Sequence, residues 1–159
     1  MKKKLQNIIT LAFIFFCLNV QAQERYLDEV FPAVTITDSV VFATNIHILP
    51  LLFNGVAGPV ALECDIYEPS GDTLTNRPVV ILLHTGSFLP AVINGQATGA
   101  RNDSSIVNQC KRFAKKGYVA IAMDNRLGWN PQSSDQIVRT STLLQAAYRG
   151  IQDAKSMVR

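Results

Sequence analysis

Residues 84–88, His84-Thr85-Gly86-Ser87-Phe88, set a glycine among polar neighbours directly after the apolar run Val79-Val80-Ile81-Leu82-Leu83. A glycine lets the backbone approach a bound molecule closely, and successive main-chain N–H groups turned to one side can hold a developing negative charge. In an α/β sheet, ligands sit beyond the carboxyl ends of the parallel strands, which is where this turn falls. The chemistry these residues suit is therefore reception of an oxyanion. Ser87 as a nucleophile with His84 as its base is a poorer fit. The two are three residues apart on one turn, and no third group is at hand to orient the histidine.

Other candidates have structural explanations. Asp124 closes the second apolar run, and Asp124-Asn125-Arg126 is expected to form a charge and hydrogen-bond cluster tying its loop to the sheet. His47, flanked by Ile46 and Ile48, is expected to be a packed or hydrogen-bonded strand histidine. Trp129, close to Pro131, is expected to pack a loop rather than stack on a ligand. The segment 89–101, with Asn94-Gly95 and Gly99, is long for a strand-to-helix connection, and either lines a cleft or is a solvated insertion.

The elements that must position these residues follow from periodicity. Residues 33–37 and 40–43 are predicted to be β. From Val60 the pattern alternates, with Val60, Leu62, Cys64 and Ile66 against Ala61, Glu63, Asp65 and Tyr67, which predicts a half-exposed strand near a sheet edge. Residues 79–83 and 118–123 show no alternation, as in strands covered on both faces of a parallel sheet. Between them a helix is predicted: Asp103 and Ser104 at its cap, Ile106, Val107, Cys110 and Phe113 inward, and Lys115-Lys116-Gly117 at its stop. This is a βαβ unit with an expected right-handed crossover. A second helix is predicted from near Ser141, burying Leu143, Leu144, Ala147, Ile151, Ala154 and Val158, with Gln145, Arg149, Asp153 and Lys155 outside. The fold class is α/β.

Residues 1–22 have the form of a signal peptide: Lys2-Lys3-Lys4, an apolar stretch over 5–20, and Val20-Gln21-Ala22 at the cleavage site. The domain proper is expected to span 23–159 and to be exported, with no stable membrane span once the leader is removed. Of 15 basic residues three are Lys2, Lys3 and Lys4, which leaves 12 against 12 acidic ones, so no basic stripe for nucleic acid is expected. Cys64 and Cys110 remain after the leader, as a disulfide or as two separate buried thiols, and neither has the spacing of a zinc site.

Four segments occur in a telling order: 65–71 (DIYEPSG), 77–88 (RPVVILLHTGSF), 110–128 (CKRFAKKGYVAIAMDNRLG) and 146–159 (AAYRGIQDAKSMVR). Over roughly residues 60–159 they resemble the N-terminal part of secreted carboxylesterase and lipase-type proteins of the α/β-hydrolase superfamily. The family's oxyanion loop reads His-Gly-Gly-Gly or His-Gly-Gly-Ser followed by an aromatic. His84 matches its histidine, Gly86 the second glycine, Ser87 the third position and Phe88 the aromatic, while Thr85 replaces the first glycine. The resemblance implies that the Gly86 and Ser87 amides are the oxyanion donors, and that His84 belongs to the loop and is not the triad base. It also implies a mostly parallel sheet with flanking helices, a small-molecule ester as substrate, and no cofactor or metal. The family's Gly-x-Ser-x-Gly nucleophile motif is absent from these 159 residues. The chain is therefore expected to be a portion of a longer hydrolase, with nucleophile, acid and base beyond Arg159, and to be inactive alone. A non-catalytic exported α/β binding module and a peptidase or amidase are the alternatives.

Overall fold

The apolar runs pair into one four-stranded sheet in the order β1-β2-β4-β3. The computed structural model describes residues 24–48, 55–84, 86–90, 93, 95 and 99–159. The expected signal peptide, Thr85 and much of the segment 89–101 lie outside the described residues. The strands are β1 (Val34–His47), β2 (Gly58–Pro69), β3 (Val79–Leu83) and β4 (Val119–Met123), and the helices are α1 (Ser104–Lys115) and α2 (Gln136–Met157).

The two β segments expected at 33–43 are one 14-residue strand, whose pairing with β2 shifts between Thr37 and Val40 and again between Val41 and Ala43. Ser39 sits in the first irregularity at φ 55°, and its N–H donates to the Asp65 carboxylate at 3.0 Å. β2 lies one strand in from the β1 edge and is antiparallel to both β1 and β4. Its C-terminal half is covered on both sides, with Cys64 and Tyr67 both buried. The expected parallel pairing is present where the apolar runs placed it, between β3 and β4. The sheet as a whole is mixed.

A helix covers each face, because alternate residues of β4 point to opposite sides. Ala120 and Ala122 meet Tyr67 and the α1 residues Ile106, Cys110 and Ala114. Ile121 and Met123 meet Cys64, with Ala154 and Met157 of α2 packed against them. Burying a side chain such as Met123 contributes about 1.5–3 kcal/mol. Cys64 and Cys110 are thus free thiols in opposite layers of the core, which settles the open disulfide question. Burial pushes the Cys110 thiol up to about 12.

α1 has its expected bounds, and Gly117 at φ 100° closes it by donating to Ala114 at 2.8 Å. The Asp103 side chain makes no cap bond and instead turns back to accept from Gly99 at 2.8 Å. Two expectations change. First, α2 starts at Gln136, a turn or more earlier than expected, because Asp135 caps it by accepting from Ile137 at 2.7 Å. Its buried stripe is Ala146, Gly150 and Asp153, while Leu144, Ile151 and Val158 are exposed. The helix docks through small residues, one buried carboxylate and Met157, with Leu144, Ile151 and Val158 turned away from the core. Second, β4 is buried on both faces as expected but β3 is an edge strand among the described residues, with Val79 and Leu83 exposed. A groove of about 810 Å³ lies between β3 and α2, lined by Ile81, Leu83, Phe88 and Ile151 among others. Among the described residues no helix is long and apolar enough to cross a membrane.

Candidate functional site

The site begins where β3 ends. Gly86 is buried at φ 120°, and Ser87 and Phe88 follow at φ 55° and 56°. Leu89 N–H donates to the Gly86 carbonyl at 2.9 Å and closes a tight turn. Two consecutive residues at positive φ are what a type I′ turn requires. For side chains with a Cβ this conformation costs roughly 1–2 kcal/mol per residue, so something must hold it. The loop after β4 does so from outside. Trp129 Nε1–H donates to the Ser87 carbonyl at 2.7 Å, and Gly128 N–H donates to the Phe88 carbonyl at 2.7 Å. Arg149 of α2 fixes that loop in turn, donating to the Gly128 carbonyl at 2.6 Å.

In a planar trans peptide the C=O and the following N–H point in opposite directions. Tethering the Gly86 carbonyl to Leu89 aims the Ser87 amide away from it. Tethering the Ser87 carbonyl to Trp129 aims the Phe88 amide likewise. Neither amide donates a hydrogen bond to any of the described residues. Of the two donors implied by the sequence, Ser87 thus has an open amide. Gly86 is buried, with its carbonyl taken, and the second open amide belongs to Phe88. The Ser87 hydroxyl makes no hydrogen bond to His84 among the described residues, so those two side chains are not brought together as a nucleophile and base.

Behind the turn, Arg101 gathers three carboxylates. It donates to Asp124 at 2.6 Å, to Glu63 at 2.7 Å and to Asp65 at 3.1 Å, and a further bond reaches the Ser39 hydroxyl at 3.0 Å. Burial opposes its charge, yet the carboxylates hold the guanidinium pKa above its ordinary value. Asp124 is pushed towards its neutral form: burial raises its pKa, with Arg101 partly offsetting the effect. Asp124 is therefore a half-buried anchor between β2, β4 and the end of the segment 89–101.

The Asp124-Asn125-Arg126 cluster is in fact two networks, one tied to Arg101 and the other to α2. Asp124 serves Arg101, while Arg126 turns to the fully buried Asp153 of α2, donating from its side chain at 2.9 Å and its amide at 2.8 Å. Asn45 of β1 also donates to Asp153, at 3.1 Å. His47, the last residue of β1, is buried and accepts from Leu127 N–H through Nε2 at 3.3 Å. It is the hydrogen-bonded strand histidine that its apolar flanks suggest. Among the described residues no group of three His, Cys, Asp or Glu could hold a metal ion.

His84, Gly86, Ser87, Phe88 and Asp124 thus collect at one end of the β3–β4 pair, and His47 lies beside them behind the Arg126 loop. The clamp by Gly128, Trp129 and Arg149 and the hub at Arg101 are not legible from sequence. Each is a contact between segments 21 to 62 residues apart that follow no shared periodicity. Trp129 packs a loop, as expected, but the residue it holds is Ser87.

No protein family profile matches the chain, and neither does any curated protein. Two solved structures share partial similarity. Esterase B from Lactobacillus Rhamnosis is 17% identical, with 98% of this chain and 42% of that chain covered at a TM-score of 0.38. A structure of the same esterase with a tributyrin phosphonate is also 17% identical, with 99% and 42% covered at a TM-score of 0.37. The chain spans less than half the length of either.

Proposed function

We propose that the chain is the oxyanion-binding portion of an exported serine carboxylic-ester hydrolase whose nucleophile, acid and base are supplied by sequence outside these 159 residues. One observation carries this reading: at the carboxyl end of β3, the adjacent Ser87 and Phe88 amides have no acceptor among the described residues, while their partner carbonyls are tied down by Leu89 and Trp129. Preorganised donors of this kind stabilise the charge that develops on a carbonyl oxygen when a serine adds to it, each contributing about 3 kcal/mol. The tetrahedral oxyanion then collapses, the alcohol leaves with a proton from the catalytic base, and water releases the acid from the acyl-enzyme. This chemistry needs no metal or organic cofactor. The substrate is a small-molecule ester, and export rests on the leader at 1–22.

The test uses the protein expressed with whatever coding sequence follows codon 159. It is expected to hydrolyse p-nitrophenyl butyrate. Ser87→Ala keeps the amide and should leave kcat within about twofold, whereas Gly86→Val forces a β-branched residue to φ 120° and should lower kcat on the order of 100-fold. Hydrolysis that is absent, or indifferent to Gly86→Val, overturns the reading.

A non-catalytic exported α/β binding module is the second reading, favoured by the absence of any Gly-x-Ser-x-Gly in the sequence. An in-frame stop at codon 160 would support it. Amide or peptide cleavage uses the same oxyanion, and p-nitroanilide substrates separate it from ester cleavage.

A further inference from the structure

Beside the turn lies a cavity of about 340 Å³, lined by Ile48, Leu89, Trp129, Pro131, Thr142 and Arg149 among others. That volume is within the range of small-ligand pockets. Its walls are largely hydrocarbon and aromatic, and its one charged lining residue is Arg149.

Arg149 is half-buried, yet it has no carboxylate within ion-pair distance among the described residues. Its single hydrogen bond goes to a neutral acceptor, the Gly128 carbonyl, and its buried Nε has no partner among the described residues. The acid nearest in sequence, Asp153, is already held by the Arg126 side chain and amide and by Asn45. Burial, followed by repulsion from Arg126, pushes the Arg149 pKa down, and attraction from Asp153 offsets this only in part. A partly desolvated cation with no carboxylate in contact is costly, and Arg149 is such a cation lining an apolar pocket. A planar guanidinium suits a carboxylate, and the surrounding Ile48, Leu89 and Pro131 suit a hydrocarbon tail.

We infer that this cavity binds a small organic carboxylate with an apolar tail, whose anionic head pairs with Arg149. The site stands on its own geometry and does not require ester hydrolysis. Its closeness to the turn, with which it shares Leu89, lets an acid-bearing substrate or an acid product occupy it.

Trp129 is the only tryptophan in the chain and lines the cavity, so its fluorescence reports occupancy directly. The full chain is titrated with hexanoate, with its neutral isostere hexanamide, and with acetate. Hexanoate should shift the emission saturably with a Kd on the order of tenfold below that of hexanamide, and acetate should bind more weakly than hexanoate for want of a tail. In Arg149→Gln the preference for hexanoate over hexanamide should vanish, and in Arg149→Lys part of it should remain. Circular dichroism checks that both variants fold. The wild-type comparison of acid with amide decides the matter even if Arg149→Gln does not fold. Equal binding of hexanoate and hexanamide, or no saturable change with hexanoate, overturns the inference. A protein that hydrolyses no ester but binds hexanoate in this way would sink the esterase reading and leave this one intact.

Discussion

His47 ties the scaffold behind the turn to pH through one nitrogen. Its Nε2 accepts from Leu127 N–H, so that nitrogen must be unprotonated in the folded chain. Burial lowers its pKa from the ordinary 6.5, Arg149 and Arg126 lower it further, and Asp153 alone among its charged neighbours opposes them. Above pH 6.5 the imidazole is neutral in both the folded and unfolded states, and the contribution is fully present. As pH falls from 6.5 towards the lower folded value, the unfolded chain takes up a proton that the folded chain resists, so stability declines. Asp72 acts in a separate, more acidic window. Its hydrogen bonds to Arg25 hold its pKa below the usual carboxylate range, so its contribution is lost only as pH falls through that lowered value. Thermal unfolding between pH 7.5 and 5.5 should therefore show a falling Tm that flattens in His47→Gln, whose amide oxygen can still accept from Leu127. An unchanged slope in that variant would remove His47 from the account. His47 was legible in the sequence because apolar residues flank it on a strand. Asp153 was not, since helical periodicity assigns it outward and nothing in sequence links it to Arg126, 27 residues earlier.

At the scale of elements, periodicity located the four strands and two helices named above, though it split β1 in two, but misjudged what α2 shows to the core. The large apolar residues at 144, 151 and 158 share a helical face, which by hydrophobicity alone should be the buried one. The observed inner stripe, Ala146, Gly150 and Asp153, is chosen instead by close approach and by the Arg126 ion pair. α1, whose apolar residues have no such competitor, was legible down to its glycine stop. Gly150 invites the inference that α2 needs a glycine there to reach the loop. Geometry argues otherwise. A Cβ at Gly150 would stand 3.7 Å from Asn125 Nδ2 and 3.9 Å from Phe88 Cε1, both ordinary contacts. Gly150→Ala should therefore stabilise the protein by about 0.5–1 kcal/mol through helix propensity and a stiffer unfolded chain, as read by urea denaturation. A loss of stability of similar size would mean that α2 packs closer to Phe88 and Asn125 than this spacing implies.

Across the whole molecule the apolar surface is unevenly distributed. Around β4 both layers are closed, but β3 carries an open edge among the described residues, and α2 presents Leu144 at 65% exposure, Tyr148 at 63% and, lining the groove, Ile151 at 55%. An unpaired strand edge next to exposed large hydrophobic residues is a template for association. These side chains contribute little to the fold, because they are already in water, and much to the stickiness of the surface. Replacing Leu144 and Ile151 together by lysine should therefore change unfolding free energy by only about 0.5 kcal/mol per site. The same variant should lower self-association, seen by light scattering as a weight-average mass that no longer climbs with concentration. If the double substitution instead collapsed stability by several kcal/mol, those residues would be core residues and α2 would lie rotated towards the face that periodicity favours. The two measurements are independent, so a fall in association without a fall in stability identifies the β3–α2 groove as surface held apart from the fold.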